Sequence, residues 1–443
     1  MSVTRRNVLF SSIAATVTGL FSGRRAQAQS GVRSSSADRV GTPARRTSGR
    51  APVITPNVGP SLPYRMVGGV KEFHLIAQPV RREFVDGLNV NCWGYNGSTP
   101  GPTIEAFEGD RVRILVENRL PEGTSVHWHG FILPNGMDGV SGLNQPKIAP
   151  GETYAYEFTL KQTGTLMYHP HFDEMVQIAL GMQGFFVIHP REASVRGVDR
   201  DFAIFLNEWF IKPGTATPDP TVMLDFNTFT FNSRVFPGTE PLLVRTGDRV
   251  RLRIANLSMN SHPIHFHGHK FWVTGTDAGP IPQSAWTPEN TVNVPVGTTR
   301  DIEFVADNPG DWALHCHKSH HVMNQMGHDL PNLLGIDPTS TQQRLDALTP
   351  GTMVMGTTGM GDMAEHQQRM AVPRNSIPMR GGVGPYGPID MGGMFTVLKI
   401  RDDMNYNRDP GWYQQPRGTS AWRVDSMSTT PAQKPASHEG HGK

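Results

Sequence analysis

Cysteine is nearly missing from this 443-residue sequence: only Cys92 and Cys316 are present. Two thiols cannot form the disulfide framework that staples small secreted folds, so a hydrophobic core must hold the chain together. Long apolar runs are missing as well. Val8 to Phe21 is short and interrupted by Ser and Thr, and no later segment approaches the roughly 20 apolar residues that cross a bilayer. No membrane span is therefore expected. Neither sign of charge dominates, with 41 Lys and Arg against 39 Asp and Glu and a net charge of +2. That balance excludes a strong electrostatic pull toward nucleic acid. Helical periodicity is scarce too. Short β-branched and aromatic runs separated by Gly, Pro, Asn and Asp predict strands instead.

What is present begins with a leader. Thr4-Arg5-Arg6-Asn7-Val8-Leu9-Phe10 resembles a twin-arginine export signal, and Ala26-Gln27-Ala28 reads as a small-residue cleavage site. Residues 1–28 are thus expected to direct the chain to the periplasm or the exterior. Residues 29–62 are rich in Ser, Arg, Gly and Pro and read as a flexible linker. The remaining chain has room for two domains of sandwich type, at 63–195 and 196–408, with a loose tail over 409–443. Cys92 is expected to be a lone, buried, apolar residue.

An internal repeat organises those two domains. Gly109-Asp110-Arg111-Val112-Arg113-Ile114-Leu115-Val116-Glu117-Asn118 matches Gly247-Asp248-Arg249-Val250-Arg251-Leu252-Arg253-Ile254-Ala255-Asn256. Nine residues after each Asn stands a His-x-His: His127-Trp128-His129, then His265-Phe266-His267. Glu157-Phe158 and Glu303-Phe304 lead in the same way to His169-Pro170-His171 and His315-Cys316-His317. Residues 328–390, rich in Met, Gly and Pro and without a convincing strand, interrupt the second copy as a long insertion. Met391-Gly392-Gly393-Met394-Phe395-Thr396-Val397-Leu398 then resembles the end of the first copy, Met182-Gln183-Gly184-Phe185-Phe186-Val187-Ile188, and would restore its last strand.

In a strand, side chains alternate faces, so a His-x-His puts both imidazoles on one side. A single pair is weak support for a metal site. Four pairs at matched offsets supply eight imidazoles, a donor type that suits copper, zinc, iron and nickel alike. Cys316 narrows the choice. With His262, His321 and Met326 it completes a two-histidine, one-thiolate set with a weak axial thioether, the donor set of an electron-transferring blue copper site. Met391 or Met394 could take the axial place instead of Met326. The first copy has Thr124, Pro170, Met175 and Leu180 at those four offsets, so the thiolate site occurs once.

The segments His-Trp-His-Gly (127–130), His-Pro-His (169–171), His-Pro-Ile-His-Phe-His-Gly (262–268) and His-Cys-His-x3-His-x4-Met (315–326) together resemble the multicopper oxidases. The resemblance covers roughly residues 90–330 and the last strand. It implies an all-β fold of two cupredoxin-like Greek-key β-sandwich domains, and four coppers per functional unit. It implies type 1 ligands His262, Cys316, His321 and Met326, and type 2 ligands His127 and His265. The type 3 pair would then be held by His129, His169, His171, His267, His315 and His317. Asp138 matches a carboxylate beside the family's copper cluster, although Asp138-Gly139 is also an ordinary turn dipeptide. The acidic residue that some members carry after the second type 1 histidine is Val322 here.

Room for only two domains makes the chain similar to the small two-domain bacterial laccases. Those are homotrimers with a copper cluster between neighbouring subunits. The implied activity is one-electron oxidation of a reductant coupled to reduction of O2 to water. The reductant is open among phenolic compounds, Cu(I), Mn(II) and Fe(II). Met353, Met355, Met360, Met363, Met370, Met379, Met391 and Met394, in the insertion and at its end, suit Cu(I) by their softness, and the same segment could instead be flexible filler or a lid over an apolar patch. Two further readings stand beside this one: a copper-tolerance or storage protein without turnover, and a copper nitrite reductase. The second family carries its Cys in the first domain, where this chain has Pro170.

Overall fold

The alternation read from the sequence becomes two stacked pairs of sheets. A computed structural model describes residues 51–192, 197–324, 339–348, 374–377 and 381–423. The export-signal residues, Met326, most of the Met-rich insertion and the end of the tail lie outside the described residues.

In the first unit the main strands are β1 (Val70–Val85), β2 (Gly101–Phe107), β3 (Arg111–Asn118), β4 (His127–His129), β5 (Thr153–Thr159), β6 (Gly164–His169) and β7 (Gly184–His189). One sheet runs Tyr64–Val67, β1, β3, β5, and the other runs β2, β7, β6, β4. The second unit contributes β8 (Arg200–Trp209), β9 (Leu242–Arg245), β10 (Arg249–Asn256), β11 (His262–Phe266), β12 (Thr291–Val294), β13 (Thr298–Val305), β14 (Gly310–Cys316) and β15 (Phe395–Arg401). Its sheets run β8, β10, β13, Phe271–Thr276, and β9, β15, β14, β11, β12.

The two units pair their strands in the same way. β1 lies parallel to β3 as β8 lies parallel to β10, and β2 lies parallel to β7 as β9 lies parallel to β15. β15 therefore holds in the second unit the place that β7 holds in the first. Each sandwich closes over its own core. Phe73, Ile114, Trp128, Tyr168 and Phe186 fill the first, and Leu252, Phe266, Phe304, Leu314 and Cys316 fill the second.

β3 alternates buried and partly exposed residues, as a strand with one wet face should. β7 and β8 do not alternate: every residue of β7 is buried, and all but the first of β8. Their second faces meet, with Met167, Phe185 and Val187 of the first unit against Ala203, Phe205 and Ala255 of the second. Backbones come close there. Gly164 has φ +143°, and a Cβ on it would stand 2.9 Å from Gly279 Cα. The same junction buries charge. Arg253 donates to both carboxylate oxygens of Asp201 at 2.7 and 2.8 Å and to Thr165 Oγ1 at 2.6 Å. Thr165 in turn donates to Asp301 at 2.7 Å.

The structure corrects three readings. Residues 51–62 are not part of a flexible linker. Val53–Ile54 pairs with β8, Thr55 Oγ1 and Thr103 Oγ1 share a hydrogen bond of 2.6 Å, and Leu62 enters the first core. The start of the tail is held rather than loose. Asp409 accepts from Lys399 at 2.6 Å, and Tyr413 N–H donates to Asp311 at 2.7 Å. The insertion also docks in places. Asn375 Oδ1 accepts from Asn89 N–H at 2.8 Å, and Ile377 joins a cluster containing Cys92 and Trp209. Val383–Gly384 and Gly387–Pro388 form a small hairpin. In each case a few apolar or amide groups inside a polar stretch find partners that composition cannot reveal.

Burial pushes the Asp201 carboxyl up, but Arg253 and Arg251 outweigh burial and hold it below the ordinary range. Its contribution is therefore present above the ordinary carboxylate range and lost as pH falls through the lowered value. Arg253→Ala strands a buried carboxylate and should cost about 3–5 kcal/mol. Arg111→Ala, which removes an exposed guanidinium from Glu157 while Arg113 keeps the carboxylate paired, should cost far less. Urea midpoints of the two variants at neutral pH check both.

Candidate functional site

Cross-strand register assembles the histidines. β4 pairs with β6 so that His127 faces His169, and β11 pairs with β14 so that His265 faces His315. The residues between them point the other way and anchor the cores: Trp128, Phe266 and Cys316 are all buried. In the first unit, His127, His129 and His169 bring one ring nitrogen each within 4.8 Å of the others, and His171 lies 5.5 Å from His127 by ring centroids. In the second unit, His265 lies 4.7, 5.6 and 5.4 Å from His267, His315 and His317.

Hydrogen bonds at the far side of these rings select which nitrogen is free. His127 Nδ1–H donates to the Asp138 carbonyl at 2.8 Å, and His265 Nδ1–H donates to the Asn290 carbonyl at 2.8 Å. His169 and His315 use Nδ1 in the same manner, on the carbonyls of Pro170 and Cys316. Each then turns Nε2 inward, at 3.1 Å from His129 Nδ1 and His267 Nε2 respectively. Gly139 makes the Asp138 contact possible, because a Cβ there would lie 1.8 Å from the Val126 carbonyl oxygen. The Asp138 carboxylate stands 3.6 Å from His127 Nδ1. It is both the turn residue and the neighbour of the histidine set.

Each unit thus holds four of the eight histidines. Among the described residues, no hydrogen bond or ring contact joins one set to the other. The second set is open, with His267 and His317 exposed.

His262, Cys316 and His321 form a third group, fully enclosed. Cys316 Sγ lies 3.7 Å from His262 Nδ1 and 3.5 Å from His321 Nδ1, and the two nitrogens are 3.0 Å apart. His262 Nε2–H donates to Ser258 Oγ at 2.8 Å, and Ser258 donates to Asn256 Oδ1 at 2.7 Å. That chain leaves the His262 Nδ1 lone pair facing inward. Two imidazole nitrogens and a sulfur converging in a dry space fit a small cation of the copper type, with the thiolate selecting a soft one. Phe229 stacks on His321 at 4.1 Å and 14°. Glu208, whose carboxyl burial pushes upward, lies 3.7 and 3.8 Å from the outer nitrogens of His262 and His321. Sequence reading missed Glu208, Ser258 and Phe229, since none belongs to a motif. Met394 sits beside this group through its backbone: its carbonyl accepts from Cys316 N–H and its N–H donates to the His321 carbonyl, both at 3.1 Å.

The first unit shows how the same frame looks without the thiolate. Asn118 and Asn256 make equivalent bonds. Each donates to a carbonyl four residues on and to another 30 or 38 residues on, and each accepts from the residue two ahead. Thr124 takes the place of His262 and donates to Gln177 Oε1 at 2.7 Å. Gln177, fully buried, also donates to Glu122 and to the Gly123 carbonyl. A closed amide network stands in the first unit where His262, Cys316 and His321 converge in the second. Glu174, on the same turn of chain, lies 3.7 and 3.6 Å from His169 and His171.

Two family models described as multicopper oxidase match residues 77–193 and 213–333. The chain is 32% identical to copper resistance protein A of Escherichia coli over 232 residues, which is 41% of this chain and 38% of that protein. It is 30% identical to laccase-2 of Botryotinia fuckeliana, over 69% of this chain and 53% of that one. Among solved structures, the blue copper oxidase from Nitrosomonas europaea superposes with a TM-score of 0.55 at 25% identity, covering 74% of this chain and 85% of that one. The multicopper oxidase mgLAC superposes likewise with a TM-score of 0.53 at 25% identity, covering 74% of this chain and 86% of that one, and the two sandwiches of this chain share the architecture of these proteins. The chain spans about two fifths to half the length of the two curated relatives.

Burial holds His169 and His262 down to about 3 and His321 down to about 2. Burial also pushes the Cys316 thiol up to about 12. Near neutral pH the histidines are therefore ready as ligands and the thiol is not. Cu(II) added to metal-free protein at pH 7 should release about one proton from this site, and Cys316→Ser should abolish that release in a pH-stat titration. With the three histidine values lowered, the unfolded chain binds more protons below about 6.5. The metal-free protein should lose stability steadily as pH falls from there toward 3, as chemical denaturation at several pH values will read.

Proposed function

The chain belongs to the multicopper oxidases, and we propose that it is an exported copper oxidase coupling one-electron oxidation of a reductant to reduction of O2 to water. The observation that carries this reading is the coexistence of one enclosed His262–Cys316–His321 group with two sets of four histidines, one half-buried and one with His267 and His317 exposed. A storage protein has no need for two such different environments, and the single thiolate in the second unit argues against a nitrite reductase. Copper in these places would supply one-electron acceptance at the thiolate group and four-electron reduction of O2 at the histidines.

The chain's own part is positioning. His262, Cys316 and His321, with Met326 as the axial thioether by its spacing, hold the type 1 place away from water. His127 and His265 are assigned to type 2, and His129, His169, His171, His267, His315 and His317 to type 3. Cys316 is joined by single peptide bonds to His315 and His317, a covalent route from one group to the other. Asp138, with its carboxylate partly exposed beside His127, holds that ring by its carbonyl and passes protons inward from solvent by its side chain.

The two half-sets favour a homotrimer in which the histidines of one chain's first unit meet those of the next chain's second unit. A head-to-tail contact of this kind closes into a ring. Apolar surface beside the first set supports such a partner: Leu143 and Met175 are 78% and 52% exposed on the segments flanking His171. Export by the twin-arginine route would place the protein in the periplasm or outside the cell. The reductant is a phenolic compound or a metal ion, with Cu(I) favoured by the methionines of the insertion and by the likeness to copper resistance proteins.

Copper-loaded protein should show an intense blue band and take up O2 with a phenol or Cu(I), and Cys316→Ser should lose both. A blue band without uptake would sink the oxidase and favour a copper carrier. For the ring, His129→Ala and His267→Ala chains should each be inactive alone and regain O2 uptake when co-expressed. Failure to regain uptake, with the trimer still formed, would place both half-sets of one cluster in a single chain.

A further inference from the structure

Among the described residues, the enclosed group has no ligand that a reductant could touch. His262 and Cys316 are 0% exposed and His321 is 1% exposed. Their covers, Glu208 and Phe229, are buried as well. Among the described residues, the exposed ring that reaches this group is His320. Its centroid lies 4.4 Å from His321, edge to face at 84°, and 6.0 Å from Phe229. His320 and His321 are also consecutive, on the short 3-10 helix Ser319–Val322. Three residues per turn sets neighbours about 120° apart, which is why one imidazole faces the group and the next faces solvent.

We infer that His320 is the docking ligand for the reductant, and that the reductant it selects is a d-block metal cation, with Cu(I) the best fit. The inference rests on the oxidase reading above and names where its electrons enter. Imidazole binds such ions directly. An exposed methionine lies on the neighbouring chain segment: Met259 is 53% exposed, and its backbone N–H donates at 3.1 Å to Glu208, whose other oxygen is 3.8 Å from His321. The repeat supplies a control. At the offsets of His320 and His321 the first unit has Glu174 and Met175, so the histidine doublet occurs only where the thiolate does. The step itself is simple. The docked cation gives up one electron and its charge rises by one. Copper held by His262, Cys316 and His321 would accept that electron, its charge falling by one as the cation's rises. No bond to hydrogen breaks, and the oxidised cation leaves to solvent.

The test uses the full copper-loaded protein and His320→Gln, mixed anaerobically with Cu(I) or with hexacyanoferrate(II), following bleaching of the blue band. Hexacyanoferrate(II) keeps its own ligands and has no use for an imidazole. The ratio of the Cu(I) rate to the hexacyanoferrate rate should fall about tenfold or more in the variant, with the potential of the blue site the same in both proteins. An unchanged ratio overturns the docking role, as does a changed potential that accounts for the rates. Absence of a blue band from the native protein would overturn the oxidase reading itself and this inference with it.

Discussion

Pairing of His-x-His strands in one register is the constraint on which the rest depends. His127 faces His169 and His265 faces His315 only because β4 and β6, and β11 and β14, meet without a slip. A one-residue slip would turn every imidazole into the core and every anchor out of it. The anchors prevent that. Trp128 packs on Tyr156 at 5.3 Å and on Phe158 at 5.9 Å, and Phe266 packs on Phe304 at 4.7 Å. The energy that fixes the ligands is thus hydrophobic burial on the opposite face of the same strands. Cys316 is the exception that makes the second unit different: it lies on the anchor face, yet its Sγ converges with two imidazole nitrogens, so this candidate site is built inside a core.

Enclosure sets the chemistry of that site. Desolvation keeps its imidazoles neutral and its thiol protonated until a metal replaces the proton. The Asn256–Ser258–His262 chain fixes one ring, and Phe229 fixes the other. The two sets of four histidines are covered less completely: in the first, His127, His129 and His171 are partly exposed, and in the second His267 and His317 are exposed. Backbone carbonyls hold His127, His169, His265 and His315 from behind, which orients the donors.

Between the sandwiches, the Arg253–Asp201–Thr165–Asp301 network joins two faces that are otherwise apolar. Its members come from strands that look, in the sequence, like ordinary alternating surface. Arg253 is the clearest instance. In the repeat it aligns with Leu115, and a basic residue there reads as solvated until the neighbouring unit is seen to cover it.

Strand period and repeat offset are local quantities, and they suffice for the β class, the doubling, the eight histidines, the His262–Cys316–His321 group and the burial of Cys92. The remaining features came from tertiary contact. It tied residues 51–62 and 409–413 into the fold and brought Glu208 and Ser258 to the outer nitrogens of the thiolate group. It closed Thr124 and Gln177 over the matching volume in the first unit, and among the described residues it left no hydrogen bond or ring contact between the two histidine sets. The physical reason is common to all of these. Each depends on which surfaces meet across tens or hundreds of residues, and burial and hydrogen bonding between distant segments leave no periodic trace in the chain.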